Sequence, residues 1–143
     1  MDHFIEFAKL NWYLFAAFFI VLLLIIITTI QRRVSGILTI SNQALLRLSN
    51  DDEAIIVDVR DVAVFRKGHI SASINVPMPE IAAKASELHE KHKDKSVILV
   101  CQTGARSFQA AATFKKYNFP AVYSLNAGID GWKQDNLPLS KHK

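Results

Sequence analysis

Residues 97–111 read VILVCQTGARSFQAA, and the order of residue types in that stretch decides the fold. Val97, Ile98, Leu99 and Val100 form a run with no polar alternation, which is how a strand buried on both faces reads. The run ends in Cys101. A short QTGA loop follows, and from Arg106 onward Phe108, Ala111, Ala112 and Phe114 recur at the spacing of one buried helical stripe. In α/β sheets ligands bind beyond the carboxyl ends of the strands, where such a loop enters the next helix.

Working outward, the same alternation of strand and helix recurs. LTI at 38–40, AIIVDV at 54–59, SINV at 73–76, SVILVC at 96–101 and AVYSL at 121–125 predict five strands. Between them, SNQALLRLS opens on a Ser41 cap, DVAVFRKG predicts a short turn of helix, and PEIAAKASELHEKH a longer one. Strands alternating with helices predict an α/β class domain with a doubly wound, five-stranded parallel sheet.

The chemistry of the loop follows from its residue types. A thiolate is the nucleophilic form of cysteine, and a helix amino terminus beside a guanidinium stabilises that anion. Gly104 permits torsions that a side chain forbids. If the loop curls around the sulfur, the amides of Gln102, Thr103, Gly104, Ala105, Arg106 and Ser107 form an anion-binding nest around an exposed sulfur, with Arg106 bracing the ring and adding charge. The plainer reading makes Cys101 a small hydrophobe at a strand end, since free cysteines are usually buried.

Composition limits the alternatives. The chain has 143 residues, half of them hydrophobic, and one cysteine, so it holds no intramolecular disulfide and no closed multi-cysteine zinc site. A lone thiol fits a reducing compartment. The 17 basic and 13 acidic residues are dispersed rather than clustered with aromatics, and no nucleic-acid partner is expected.

The excess of apolar residues lies in WYLFAAFFIVLLLIIITTI at 12–30, which contains no charged side chain. As a helix it is about 28 Å long, close to the hydrocarbon thickness of a bilayer. A core helix of a small domain needs a polar face, and this segment has none. Asp2 and Glu6 precede it and Gln31, Arg32 and Arg33 follow, which differs from a cleaved signal peptide. Trp12 and Tyr13 suit one headgroup level and the two arginines the other. The expected organisation is a short extracytoplasmic tail at 1–9, a transmembrane helix at 10–31, a linker at 32–37 and a domain at 38–143. The Lys/Arg bias places that domain in the cytoplasm on a bacterial inner membrane, single-pass, with the bilayer as one partner and other membrane proteins as further ones.

CQTGAR at 101–106, VDVRDVAVFRKGHI at 57–70, SASINVP at 71–77 and LNAGIDGWKQDNLPL at 125–139 together resemble the rhodanese homology domain, a single-domain sulfurtransferase family. The likeness is to small bacterial members with one amino-terminal membrane helix. It implies a sulfurtransferase in which Cys101 takes sulfane sulfur from a small donor such as thiosulfate. The resulting persulfide passes it to a thiol or protein acceptor. It also implies that the amides of residues 102–107 hold the persulfide's outer sulfur, with no metal or organic cofactor. Related phosphatase domains carry one more residue between Cys and Arg, so the short loop here implies sulfur transfer over phosphate or arsenate chemistry.

The chain departs from the family pattern in four places. Gln102 stands where a basic residue is common, the usual small pair after His69-Ile70 appears as Ala72 and Ser73, Val64 replaces an acidic residue, and Ala127-Gly128 a double glycine.

Other residues carry two readings. Asp58 and Arg60 either hold the active loop by charge-assisted bonds or form a plain strand-end ion pair. His69 is expected to be a structural hydrogen-bonding landmark rather than a base, and Trp132 an aromatic plug of the core. His89 and His92 invite a metal reading, which the neighbouring Lys91, Lys93 and Lys95 oppose. At the level of function the alternative to an enzyme is a tethered interaction module with dispensable catalysis, in which anchoring raises effective concentration near membrane partners.

Overall fold

A computed structural model describes residues 11–34 and 36–141. The chain divides into two units, Met1–Gly36 and Ile37–Lys143. In the first, helix α1 (Trp12–Val34) includes an 18-residue apolar window, Trp12–Thr29, long enough to cross a membrane. The expected tail at 1–9 lies outside the described residues. The helix continues past residue 31, where the connector was expected to begin, because Gln and Arg are good helix formers and nothing in that segment stops a helix.

The second unit is built on five strands, β1 (Leu38–Ile40), β2 (Ala54–Asp58), β3 (Ile74–Asn75), β4 (Ser96–Val100) and β5 (Val122–Leu125). They pair in the order β1-β5-β4-β2-β3, parallel throughout. The connecting helices are α2 (Asn42–Asn50), α3 (Val62–Lys67), a 3-10 turn (Met78–Glu80) leading into α4 (Ile81–Lys91), α5 (Ala105–Phe114) and α6 (Gly128–Gln134). All five strands fall where the residue pattern places them, each shortened or kept by no more than two residues. Helix α6 was not anticipated, because a segment with glycine at both Gly128 and Gly131 scores poorly as helix. Its site is instead set by tertiary contacts described below.

The period-2 alternation of the two central strands assigns residues to two faces. Ile55, Val57, Val59, Val97, Leu99 and Cys101 point to one, where Ala85 and Leu88 of α4 and Ala110, Ala111 and Phe114 of α5 cover them. Ile56, Ile98 and Val100 point to the other, under Leu45 of α2 and Ile129 and Trp132 of α6. Because each of these strands is covered twice, its residues are apolar apart from Asp58 and Ser96 at the ends, and Cys101 joins the first of the two clusters. Trp132 is 2% exposed and its indole nitrogen donates to the Pro138 carbonyl at 2.9 Å, as expected of a plug.

Candidate active site

Cys101 leaves the carboxyl end of β4 beside the carboxyl end of β2, and Val59 N donates to Val100 O at 2.9 Å there. The segments that follow the two strands line a cavity of about 420 Å³ formed by Arg60, Asp61, Val64, Cys101, Gln102, Thr103 and Arg106. Asp61 was not singled out from the sequence and Val64 only as a departure from the family pattern, since both belong to an ordinary short helix start and reach the cavity through strand adjacency.

The loop does curl around the sulfur. Gly104 N donates to Cys101 Sγ at 3.1 Å, and the Ser107 hydroxyl lies 3.5 Å from it. Burial alone pushes the Cys101 thiol up. The Ser107 hydroxyl and the amides of Ser107, Gly104 and Thr103 outweigh it and hold the thiol below its ordinary value. Gly104 has φ +94°, and a Cβ there would meet the Leu125 carbonyl oxygen at 3.2 Å, so the loop needs glycine for both torsion and space.

One expectation is corrected. The sulfur was expected to be exposed, yet Cys101 is 1% exposed. Its side chain packs in the core cluster under α4 and α5, and the residue lines the cavity.

The brace of the loop also differs from the expected one. Arg106 is exposed and lines the cavity, while Ala105 and Thr103 are exposed and Gln102 and Gly104 are half-buried. Holding the loop falls to residues from other elements. Ile129 N donates to Cys101 O at 2.9 Å and Asp130 N to Gln102 O at 3.0 Å, so the first turn of α6 satisfies two loop carbonyls. Gly128 has φ +53°, and a Cβ on it would overlap the Cys101 carbonyl and come 2.7 Å from that of Gln102. This close approach explains why α6 begins on a glycine despite its low helix propensity.

Arg60 and Asp58 realise both of their readings at once. They are a buried ion pair, Nε to Oδ1 at 2.9 Å and Nη2 to Oδ2 at 2.7 Å, and Arg60 also donates to Gly68 O at 2.8 Å. Its Nη1 then donates to Gln102 Oε1 at 3.2 Å, while Gln102 Nε2 donates to Asp130 Oδ1. Gln102 is therefore held at both ends, between the guanidinium and a carboxylate. Asn75 donates to the carbonyls of Asp58 and Arg60 at 3.0 and 2.8 Å, fixing the end of β2. The sequence reading ties Arg60 to the loop, but no local signal ties Gln102 to Asp130.

His69 has the structural role expected of it: it stacks on Phe65 with centroids 3.9 Å apart, its Nδ1 pairs with Phe65 O at 3.0 Å, and its backbone bridges Ser140 in both directions. His89 packs edge-on to Phe119.

A doubly covered parallel sheet with a cysteine cradled by amides beyond its central strand defines a class, and comparison with known proteins names it. The model of the rhodanese-like domain matches residues 41–135, and the chain belongs to that family. It is 39% identical over 115 residues to the uncharacterized protein YibN of Escherichia coli (strain K12), covering 80% of each chain. It is 33% identical over 93 residues to a sulfurtransferase of Allochromatium vinosum, covering 65% of this chain and 84% of that one. A solved structure of a rhodanese-related protein from Thermoplasma volcanium matches with a TM-score of 0.56 at 28% identity, covering 73% of this chain and 99% of that one.

Proposed function

We propose that this protein is a membrane-anchored sulfurtransferase or persulfide carrier whose nucleophile is Cys101. The observation that carries the reading is the sulfur itself: it lines a 420 Å³ cavity, accepts a hydrogen bond from Gly104 N, and has its thiol held below the ordinary value. A sulfurtransferase relative supports it.

In the first half-reaction the Cys101 thiolate attacks the sulfane sulfur of a donor such as thiosulfate. An S–S bond forms to Cys101, the donor's own S–S bond breaks, and its electron pair leaves with sulfite. The negative charge then sits on the outer persulfide sulfur, where the amides of residues 102–107 stabilise it. In the second, a thiophilic acceptor attacks that outer sulfur and the electron pair of the broken bond returns to Cys101 as thiolate. Arg106, exposed at the rim, attracts an anionic donor. Gln102 is fixed by Arg60 and Asp130 and contributes no charge.

The anchor is α1, and the domain lies on the cytoplasmic side of the inner membrane. The uncharged apolar window Trp12–Thr29 and the arginines at 32 and 33 support this orientation. Thiosulfate or another sulfane donor is expected to add one sulfur atom to Cys101, read by mass spectrometry, and cyanide to release it as thiocyanate. Failure of every sulfane donor to leave an adduct refutes the proposal. Full complementation of a cellular phenotype by Cys101→Ser but not by an α1 deletion points instead to an interaction module.

A further inference from the structure

Ser124 is a polar residue in a strand otherwise built for burial, between Val122 and Leu125, and it is 2% exposed. Its hydroxyl lies 2.9 Å from that of Ser107, which is fully buried. Ser107 Oγ in turn lies 3.0 Å from Gly104 O and 3.5 Å from Cys101 Sγ.

Counting protons fixes the direction of this chain. Each hydroxyl has one proton. Among the described residues Ser107 Oγ is the hydrogen-bond partner of Ser124 Oγ, so a buried Ser124 proton is satisfied only by donating to it. Ser107 then accepts from Ser124 and keeps its own proton for either the Gly104 carbonyl or the sulfur. With a neutral thiol, the S–H donates to Ser107 and Ser107 donates to Gly104. When the sulfur ionises it can only accept, and the charge draws the Ser107 proton to itself.

We propose that Ser124 is a positioning residue for Cys101, acting through Ser107: by donating to Ser107 Oγ it holds that oxygen in place and polarises its O–H, which makes the single Ser107 proton a stronger donor to the thiolate. The inference deepens the reading of Cys101 as a nucleophile and rests on it. The opposite polarity, Ser107 donating to Ser124, withholds that proton from the sulfur, so the two arrangements predict shifts of opposite sign on removal of Ser124. The charged groups near the sulfur are Arg60 with Asp58, Asp61, Arg106, and Asp130 behind Gln102; the hydroxyl pair bonds instead to Gly104 O and Cys101 Sγ.

The test is the pH dependence of iodoacetamide alkylation in the full-length protein in detergent, where the chain's one cysteine gives an unambiguous signal. Ser124→Ala is expected to move the profile to higher pH, with alkylation about three- to tenfold slower below the thiol's pKa. Ser107→Ala is expected to shift it at least as far, and the double variant no further than Ser107→Ala alone. An unchanged or downward shift in Ser124→Ala, or an additive shift in the double variant, overturns the proposal. Alkylation needs no sulfur donor: absence of a sulfur adduct on Cys101 refutes the sulfurtransferase reading, whereas an unmoved profile with normal adduct formation refutes only the role of Ser124.

Discussion

Replacing Arg60 by Met tests the network that joins the core to the loop after Cys101. The guanidinium is the partner of a carboxylate that is itself 1% exposed, and it also serves the Gly68 carbonyl and the Gln102 side chain. Removing one member of a buried pair leaves an uncompensated charge, which costs about 3–5 kcal/mol. Gln102 is half-buried, so water replaces part of what it loses, and its contribution is small beside that of Asp58. A loss of that size is a large fraction of the roughly 5–15 kcal/mol that holds a typical domain together. At about 4–8 °C per kcal/mol for a domain of about 100 residues, Tm falls by well over about 10 °C.

The assay is urea unfolding of the full chain in detergent, followed by fluorescence of buried Trp132 in a Trp12→Phe background. Pairing the change with Asp58→Leu removes the orphaned charge and is expected to recover at least half of the loss, since apolar replacements of buried pairs are often neutral. An Arg60→Met variant that loses less than about 1 kcal/mol refutes the reasoning. So does a double variant no more stable than the single one.

Two further outcomes follow from the same geometry. Gly128→Ala forces a side chain into the left-handed region and into the Cys101 carbonyl, so it is expected to destabilise by more than about 1 kcal/mol and to slow Cys101 alkylation, because Ile129 N and Asp130 N lose their register on the loop; wild-type melting and alkylation would contradict it. Because the folded thiol titrates below its unfolded value, the unfolded chain binds more protons between the two, and stability rises with pH across that window. The contribution is present above the unfolded value and lost as pH falls through the folded one. Cys101→Ser is expected to flatten that segment of a stability-versus-pH curve, and an unchanged slope counts against an ionised Cys101.

Much of this site is legible in one stretch of chain. The unbroken apolar run before Cys101 predicts a strand covered twice, Gly104 a loop of unusual torsion, and Arg106-Ser107 a helix start, because all three signals act over a few residues. The burial of the sulfur was misjudged for a reason of geometry: the loop's residue types bear on thiol chemistry, whereas the packing of α4 and α5 over that face of the sheet decides how far Cys101 is exposed. Asp61 and Val64 reach the cavity only because β2 pairs with β4. Asp58 and Arg60 carry a local signal, charges at the end of an apolar strand, whereas Ser124 was passed over although its hydroxyl stands among buried neighbours.

The amino-acid order by itself determined the parallel α/β class, the apolar segment at 12–30 and the choice of Cys101 as the candidate nucleophile, since periodicity, hydropathy and thiol chemistry are properties of neighbouring residues. Only the tertiary structure decided that Arg60, Gln102 and Asp130 form one chain of contacts, that α6 begins on a glycine against the Cys101 carbonyl, and that Ser107 shares its hydroxyl with Ser124. Those contacts join residues up to dozens of positions apart, and their partners are chosen by strand order and register.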